Sequence, residues 1–309
     1  MNYKDWLNEW LELYEKPSIK KRTYSQYAAV IENRLIPAFG EYDMDELDAR
    51  ELQKYIVDLM QKGNKRTGKG LAPNSVNAIV LVLRSSLLMA YNLGVTKVNC
   101  VNKIKCPMSR EKPVGSFTNE EQKLIEQAVL SDSRIKMFGV VLCLYTGLRI
   151  GELLALEWND INFVDAEMSI TKSCYDGRGE NGCFCRITGT PKNDSSCRII
   201  PIPNQIVPIL QDIKNKSNSK YVVSDGDKVI TVRSYQRSFE LLLKKQNISH
   251  RGFHSLRHTF ATRAIECGMD VKSLSEILGH KNSTITLNRY VHSFMEHKKK
   301  YMNQMGHRL

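Results

Sequence analysis

The C-terminal part of the chain contains the stretch His254-Ser-Leu-Arg257-His258, followed by Leu278-Gly279-His280 and then by Arg289-Tyr290-Val291-His292. A further arginine occurs far upstream, in Thr146-Gly-Leu-Arg149-Ile-Gly-Glu152. An arginine guanidinium can bind two phosphate oxygens at once, and a tyrosine hydroxyl can attack phosphorus if nearby cations stabilise its phenolate. If the fold brings these motifs together, they favour phosphoryl transfer through a covalent protein intermediate.

Arg149 and the pair His254 and Arg257 each have an ordinary structural explanation as well. Arg149 could be a buried arginine that pairs with Glu152, although that carboxylate would also hold the arginine in position. His254 and Arg257 stand at i and i+3, so both would lie at the start of a helix, where backbone N–H groups favour an anion. They could equally be two polar capping residues.

His280 and Tyr290 are ambiguous in the same way. His280 follows Leu278-Gly279, which predicts the end of an amphipathic helix, and a histidine there is more often a capping group than a catalyst. Tyr290 follows Ile285 and Leu287 at helical spacing, so packing in the core would explain it. A phenol with a pKa of about 10 needs cations beside it to become a nucleophile, and spacing alone does not supply them.

The composition favours a polyanionic partner. The 309 residues include 45 lysines and arginines against 33 aspartates and glutamates, a formal charge of +12 at pH 7. Nucleic acid is the commonest partner of such a chain, although composition does not separate it from an anionic membrane surface. No apolar run approaches the roughly 18 residues that span a bilayer, and the N-terminus lacks the apolar core of a signal peptide. We therefore expect a soluble, cytoplasmic protein with no membrane partner.

The chain contains eight cysteines, which a reducing compartment would keep as thiols. Four of them lie around one predicted hairpin: Cys174, Cys183, Cys185 and Cys197. Zinc could use four thiolates, but their spacing lacks the paired C-x-x-C knuckles of structural zinc sites. We expect these thiols to pack in the hairpin, and we assign no metal.

The periodicity of apolar residues predicts two mainly helical domains. Residues 1–106 have the pattern of a helical bundle, and residues 107–117 have that of an exposed linker. Thr118-Asn-Glu-Glu121 is a capping box, so a second domain is expected over residues 118–309. Within the bundle we expect Trp6, Trp10 and Leu13, at i, i+4 and i+7, to share one buried stripe. A second capping box is expected to start a helix at Asp48, with Glu51 as its partner.

The apolar period changes after residue 160. Residues 168–172, Phe184–Gly189 and residues 197–202 are short, partly alternating segments, separated by the turn sequences Asp176-Gly-Arg-Gly and Lys192-Asn-Asp-Ser-Ser. We predict that they form one small antiparallel sheet within the second domain, which is otherwise helical.

Seven basic residues lie in a glycine-rich loop and in the linker region, where nothing predicts packing. They are Lys65, Arg66, Lys69, Lys103, Lys105, Arg110 and Lys112. Their charge would suit segments that cross a DNA backbone. An ordinary solvated loop and linker would explain them equally well.

Together, the motifs resemble those of the tyrosine recombinase (phage integrase) family, and most of all the integrases of conjugative transposons. T-G-x-R-x-x-E, H-x-x-R-H, L-G-H and R-Y-V-H occur in the order of the family, each weak alone and specific together. The resemblance covers about residues 118–295 through these motifs, and the first hundred residues more loosely. It implies a mainly α-helical protein, with a helical-bundle domain that clamps DNA and a mixed, mostly helical catalytic domain with a small antiparallel sheet.

The resemblance also implies a role for each matching residue. Tyr290 would attack the scissile phosphate to form a 3′-phosphotyrosyl link. Arg149, Arg257 and His280 would bind the non-bridging oxygens and the developing charge. His254 would assist proton transfer and hold the phosphate.

Lys192 would protonate the 5′ oxygen as the general acid, with Lys172 as the competing lysine. Lys192 is preferred because the R-x-I-P segment that follows it resembles the last strand of the family. Glu152 would support Arg149 from behind. No metal, nucleotide or other cofactor is implied, because the phosphotyrosyl bond stores the energy of the cleaved bond.

The implied function is site-specific recombination of double-stranded DNA by a homo-tetramer on synapsed sites, integrating or excising a mobile element. The tail, residues 294–309, would dock on the neighbouring protomer. Residues 176–184 look like an insertion that lengthens the hairpin, of the kind that contacts DNA or a neighbouring subunit. The alternatives are a catalytically silent DNA-binding relative, a type IB topoisomerase-like enzyme that relaxes DNA, and a thiolate–zinc DNA-binding module.

Overall fold

The computed structural model describes most of the chain in two compact units, Met1–Lys112 and Pro113–Leu309. The division falls inside the segment expected to be a linker. The described residues are 1–108, 115–179, 183–189, 197–226, 229–280, 282, 284 and 302–303.

The described part of the first unit is built from helices. They are α1 (Tyr3–Glu9), α2 (Lys21–Val30), α3 (Ile36–Phe39), α4 (Ala49–Lys62) and α5 (Pro73–Asn92). π-helical turns continue α1 and α2 over Trp10–Glu15 and Ile31–Leu35, and a 3₁₀ turn covers Val101–Lys103.

The buried stripe of the first helix differs from the prediction. Trp6 and Trp10 are fully buried, but Leu13 is 63 % exposed and Leu11 is buried in its place. The reason is the π-helical turn at Trp10–Glu15, because i→i+5 hydrogen bonding widens the turn and shifts the buried face away from the i+7 position.

The helix α4 begins where the sequence predicted, although its cap was predicted wrongly. The Asp48 side chain caps no backbone N–H group of the described chain. Glu51 instead pairs with Lys54 at 2.7 Å between Oε1 and Nζ. Burial of Leu52 and Ile56 in the core therefore determines where this helix lies.

The helix α5 has the length and composition of a membrane span, with a mean hydropathy of 1.3 over 18 residues. This corrects the expectation that no segment approaches that length. Val76, Val80 and Leu83 lie in the core of the first unit, which accounts for the apolar composition. The chain after α5 contributes to the same core, because Val101 and Ile104 pack into it.

The second unit surrounds a larger core. Its helices are α6 (Asn119–Leu130), α7 (Phe138–Thr146), α8 (Ile150–Ala155), α9 (Val207–Lys216), α10 (Val232–Lys245), α11 (His254–Glu266) and α12 (Val271–Leu278). The capping box before α6 is confirmed: Thr118 Oγ1 accepts from the Glu121 backbone N–H at 3.2 Å, and Glu121 Oε2 accepts from the Thr118 N–H at 2.9 Å. The helix α7 is apolar all round and buried along nearly its whole length.

The described strands form two antiparallel sheets where one was predicted. They are β1 (Ile161–Asn162), β2 (Glu167–Ile170), β3 (Ser173–Arg178), β4 (Phe184–Gly189) and β5 (Arg198–Pro201). One sheet has the order β1-β2-β5, and the hairpin β3–β4 is separate.

The strand β3 was missed because its glycine suggested a turn. Gly177 lies within the strand, opposite Cys185. A Cβ at Gly177 would lie 2.9 Å from the Ile187 side chain and 3.2 Å from the Tyr175 ring. The glycine therefore allows close packing within a strand, which is a use that the sequence pattern does not distinguish from a turn.

Candidate functional site

Arg149 is positioned by the junction between α7 and α8. The helix α7 ends at Gly147, which has a left-handed φ of +66°, and a Cβ there would lie 2.5 Å from the Phe260 ring. Glycine is therefore required at this turn. Arg149 follows as the N-cap residue of α8, and its side chain is 35 % exposed.

Glu152 is the buried carboxylate at the centre of this arrangement, with a side chain only 3 % exposed. It accepts from the Arg149 backbone N–H at 3.0 Å and from Arg149 Nη1 at 2.7 Å. It also accepts from Arg198 Nη1 at 3.2 Å and Nη2 at 3.0 Å. Burial alone raises the pKa of the Glu152 carboxyl, but the hydrogen bonds and charge of Arg198 and the charge of Arg149 outweigh it, so the net pKa lies below its ordinary value.

The end of α12 has the backbone geometry that the Leu-Gly-His motif predicts. Gly279 is left-handed, with a φ of +61°. Its N–H donates to the Glu276 carbonyl at 2.9 Å, and the His280 N–H donates to the Ser275 carbonyl at 3.0 Å. This is a Schellman cap, which fixes the backbone of His280 immediately after the helix.

Three arginines from different elements donate to three consecutive carbonyl groups at this helix end. Arg198 Nε donates to the Ile277 carbonyl at 2.5 Å, and Arg257 Nη2 donates to the Leu278 carbonyl at 2.6 Å. Arg149 Nη2 donates to the Gly279 carbonyl at 3.0 Å. The last carbonyls of a helix have no partner within it and carry its negative partial charge, so guanidinium groups stabilise them well.

Arg257 and His254 lie on α11 but have different surroundings. Arg257 is 2 % exposed, and its Nη1 also donates to the Gly147 carbonyl at 2.9 Å. His254 is exposed at the first residue of the helix. Its ring meets the buried ring of His258 edge-on, with centroids 4.8 Å apart.

The structure therefore brings Arg149, Glu152, Arg257 and the backbone of His280 into one hydrogen-bonded network. The predicted pairing of Arg149 with Glu152 is present. Tyr290 lies outside the described residues, so its predicted role as nucleophile stays a prediction.

Lys172 and Lys192 are the two candidates for the general acid. Lys172 donates to Glu157 Oε2 at 3.1 Å, and this hydrogen bond is the main cause of the lowered pKa of the Glu157 carboxyl. Lys172 is thus engaged in a structural ion pair. Lys192 lies outside the described residues, and its role as general acid stays a prediction.

Arg198 was not identified from the sequence. It lies in the R-x-I-P segment, which served in the sequence only to mark a strand. An arginine at the start of a strand is ordinarily an exposed residue, and only the fold places this one between Glu152 and the end of α12.

The hairpin β3–β4 is anchored to the rest of the second unit through Asp176 and Arg186, which lie opposite each other on its two strands. The two carboxylate oxygens of Asp176 accept from the backbone N–H groups of Val232 and Arg233, each at 2.8 Å, and so cap α10. Arg186 donates to the Leu154 carbonyl at 2.9 Å and lies 4.3 Å from the Tyr221 ring centroid. Part of the predicted insertion is therefore regular, attached strand.

The cysteines near the hairpin were expected to pack inside it, and only Cys174 does so. Its burial raises the pKa of the thiol to about 11. Cys183, Cys185 and Cys197 are exposed, because they lie toward the outer end of the hairpin or just before β5. In the part of the chain that the structure describes, no three His, Cys, Asp or Glu side chains are grouped so that they could hold a metal ion.

The basic residues predicted to contact DNA are exposed wherever they are described. Lys65, Arg66 and Lys69 lie in the loop between α4 and α5, and Lys65 Nζ donates to the Asn33 carbonyl at 2.9 Å. Lys103 and Lys105 are exposed after α5. Arg110, Lys112 and nearly all of the tail over residues 294–309 lie outside the described residues.

Family models match both parts of the chain. The model described as the phage integrase family matches residues 117–297. A second model, the N-terminal SAM-like domain of phage integrases, matches residues 2–60. A tyrosine recombinase XerC-like protein of Caldanaerobacter subterraneus subsp. tengcongensis is 29 % identical over 95 % of this chain and 78 % of its own length.

Solved structures show the same fold. The Tn1549 transposon integrase in complex with transposon right end DNA superposes with a TM-score of 0.80 at 21 % identity, covering 99 % of this chain and 100 % of the other. A lambda integrase tetramer bound to a Holliday junction has a TM-score of 0.70 at 20 % identity, covering 94 % of this chain and 77 % of the other.

Proposed function

The chain belongs to the phage integrase family, and on that premise we propose that it is a site-specific recombinase that cleaves and rejoins DNA strands through a 3′-phosphotyrosyl intermediate. In this proposal residues 1–106 bind the DNA core site, and residues 118–309 carry out the chemistry. The enzyme acts in a bacterial cytoplasm.

The observation that carries the proposal is the convergence of Arg149 and Arg257 on the backbone beside His280. Arg149 and its acceptor Gly279 are 130 positions apart in sequence. Two guanidinium groups and the backbone that leads into His280 thereby belong to one hydrogen-bonded network, and the partly exposed Arg149 remains open to an anion. Such preorganised cations are what a pentavalent phosphate transition state requires.

The reaction follows from these groups and from the roles that the family assigns to Tyr290 and Lys192. The Tyr290 hydroxyl passes its proton to His254 as its oxygen attacks phosphorus, and the bond from phosphorus to the 5′ oxygen breaks. Lys192 gives its proton to that oxygen, which leaves as a 5′-hydroxyl. A 5′-hydroxyl of a second strand then attacks the phosphotyrosine and gives its proton to Lys192, while His254 returns a proton to the Tyr290 oxygen that leaves. One phosphodiester replaces another, so no external energy source is required.

Arg149, Arg257 and His280 stabilise the charge on the non-bridging oxygens during both steps, and His254 assists proton transfer. Glu152 keeps the Arg149 guanidinium in place through its 2.7 Å hydrogen bond. The reaction is reversible, because cleavage and rejoining use the same catalytic groups.

The partner is double-stranded DNA, which the formal charge of +12 supports. Exchange between two duplexes involves four strands, so we propose a homo-tetramer in which the tail of each protomer docks on its neighbour. The similar lambda integrase is solved as a tetramer on a Holliday junction. The similar Tn1549 protein is a transposon integrase, so we propose that the natural substrate is the end of a mobile element.

The test uses nicked suicide duplexes built from the ends of the genomic element that encodes the protein. Once cleaved, these duplexes lose the 5′-hydroxyl and trap the covalent intermediate. We expect an SDS-stable protein–DNA adduct with the wild type, none with Tyr290→Phe, and equal DNA affinity for both. Tyr91→Phe, an exposed tyrosine of the first unit, is the matched control and should form the adduct normally.

Each contrary result identifies an alternative. Specific binding without any adduct would indicate a catalytically silent DNA-binding protein. An adduct accompanied by relaxation of supercoiled plasmid, without recombinant products from paired sites, would indicate a type IB topoisomerase-like activity. An undiminished adduct with Tyr290→Phe would show that another residue is the nucleophile.

A further inference from the structure

Arg198 connects parts of the second unit that are distant in sequence. It lies on β5, and its side chain is only 7 % exposed. Nη1 and Nη2 donate to the two oxygens of Glu152, while Nε donates to the Ile277 carbonyl near the end of α12. One guanidinium therefore joins the helix that follows Arg149 to the helix that precedes His280.

Arg149 and Arg198 share the carboxylate of Glu152. Oε1 accepts from Nη1 of both arginines, at 2.7 Å from Arg149 and 3.2 Å from Arg198. Oε2 accepts from the Arg149 backbone N–H and from Arg198 Nη2, both at 3.0 Å. Four donors hold the carboxylate in one orientation, and loss of Arg198 would remove two of them, one from each oxygen.

Arg198 also lies directly against the glycine that precedes His280. A Cβ on Gly279 would lie 3.1 Å from both Cδ and Nη1 of Arg198. The guanidinium thus packs on the left-handed turn itself, and the bond to Ile277 holds the turn from the helix side. The direction in which the chain continues to His280 depends on both contacts.

We infer that Arg198 is a positioning residue for strand cleavage, which fixes Arg149 through Glu152 and fixes His280 through the end of α12, without contacting DNA. This inference rests on the proposed recombinase function. The burial of Arg198 and its bonds to Glu152 and Ile277 direct its donors into the protein. Its effect on the reaction passes through the groups that it holds.

A lysine cannot replace Arg198 in this role. The three contacts use three nitrogens of one planar group, in the fork geometry that matches a carboxylate. A lysine ammonium has a single nitrogen, which could bind Glu152 or the Ile277 carbonyl but not both in the same way. We therefore expect the rate of adduct formation to be highest with arginine at position 198, lower with lysine and lowest with methionine.

The test compares Arg198→Met and Arg198→Lys with the wild type in two assays on the suicide duplex. The first measures the single-turnover rate of adduct formation at saturating protein, and the second measures DNA affinity. We expect Arg198→Met to slow adduct formation by about 100-fold, because a misplacement of roughly 1 Å can have that effect. The DNA affinity of Arg198→Met should stay within about twofold of the wild-type value. The rate of adduct formation by Arg198→Lys should lie between those of Arg198→Met and the wild type.

Arg186→Met is the matched control. Arg186 is also a partly buried arginine on a strand of the second unit, and its acceptors are the carbonyls of Leu154 and Ile230, neither of which belongs to the described part of the proposed site. Its loss should leave the rate of adduct formation per folded molecule unchanged.

A double-mutant cycle separates positioning from a general loss of structure. Because Arg198 and Glu152 act as one unit, Glu152→Gln combined with Arg198→Met should slow the reaction little more than the slower single variant. Glu152→Gln combined with Arg186→Met should be no slower than Glu152→Gln alone. If the rate reductions of Glu152→Gln and Arg198→Met instead multiply in the double variant, the inference is wrong.

Three other results would also overturn it: an Arg198→Met variant that cleaves at the wild-type rate, one whose affinity falls as much as its rate, or an Arg198→Lys variant with full activity. If Arg198→Met does not fold, Arg198→Lys decides the question. Absence of an adduct with the wild type would contradict the proposed function itself, so the two failures are distinguishable.

Discussion

The cores of the two units contain buried polar groups of different kinds. In the first unit, the Tyr3 hydroxyl lies 2.8 Å from Ser86 Oγ, and Trp6 Nε1 donates to the Ser86 carbonyl at 2.9 Å. All of these groups are neutral. In the second unit, the buried polar groups include the charged Glu152 and Arg198. Neutral hydrogen bonds each contribute about 1 kcal/mol, whereas a buried ion pair roughly offsets its own desolvation.

The difference suggests what each core is selected for. The first unit uses its buried hydrogen bonds to join α1 to α5, which closes the helical bundle. The second unit places charges inside its core at little net gain in stability, and in return Arg149 is held in one orientation while part of it stays exposed. Variants of the two cores can test this distinction between buried groups that close a fold and buried groups that orient a site.

Removal of Glu152 should have the largest effect. Glu152→Ala leaves the buried Arg198 without its carboxylate, and breaking a buried pair from one side costs about 3–5 kcal/mol. We expect hydrogen exchange of the second unit to accelerate correspondingly, and adduct formation to fail. Glu157→Ala is the control, since its pairs with Lys172 and Lys220 are closer to the surface and should contribute less than about 1 kcal/mol. Equal losses from the two variants would contradict the distinction.

The same carboxylate predicts a dependence on pH. Because the folded pKa of Glu152 is lowered, its contribution to stability is complete above the unfolded pKa of about 4.3 and is lost as the pH falls through the folded value. In Glu152→Gln this component of acid destabilisation of the second unit should disappear. Protection measured by hydrogen exchange from about pH 3 to about pH 6, which brackets the unfolded pKa of about 4.3, would show it.

Removal of the Ser86 hydroxyl should have a smaller effect, confined to the first unit. Ser86→Ala leaves the buried Tyr3 hydroxyl without its partner, which costs about 1–3 kcal/mol. Unfolding of the first unit would measure this loss, and the fraction of bound DNA that forms the adduct should not change. The double variant Tyr3→Phe with Ser86→Ala should recover part of the loss, because no buried hydroxyl is then left unpaired. A further additive loss would show that packing, and not the hydrogen bond, is responsible.

Removal of an exposed charge from the first unit should have the smallest effect on stability. Lys69→Ala, in the loop between α4 and α5, should change the free energy of unfolding by less than about 0.5 kcal/mol. If the loop contacts the DNA backbone, the slope of log affinity against log salt should fall by about 1. Lys4→Ala, an exposed lysine outside this loop, should leave the slope unchanged. Equal slopes for Lys69→Ala and the wild type would remove the loop from the DNA interface.

Local signals in the sequence predicted much of this molecule. The capping box at Thr118 and the glycine after α12 act within one helical turn, so their sequence patterns specify their geometry. Mainly helical organisation follows from periodicity in the same way. Leu13 was misplaced because a π-helical turn leaves no mark in a periodicity of 3.6 residues.

The remaining features depend on contacts between distant parts of the chain. Gly177 lies within a strand, where Ile187 and Tyr175 pack closely against it. This packing exists only once the hairpin has formed, so the sequence pattern does not reveal it. Arg198 is an ordinary basic residue until α8 and α12 enclose it. Family resemblance identified Arg149 and Arg257 in sequence, but it did not identify the arginine that holds their surroundings together.

The network at the end of α12 also constrains when the site can exist. Its bonds join Arg149 to Gly279 and Arg257 to Gly147, across 130 and 110 positions of the sequence. The first unit closes through the hydrogen bond from Trp6 Nε1 to the Ser86 carbonyl. Both residues are made early in synthesis. A chain still growing on the ribosome can therefore fold its first unit long before the acceptors at residues 277–279 have been translated. On the proposed function, DNA binding by the first unit would precede assembly of the cleavage site, because a chain interrupted before residue 277 contains Arg149 but lacks its Gly279 acceptor.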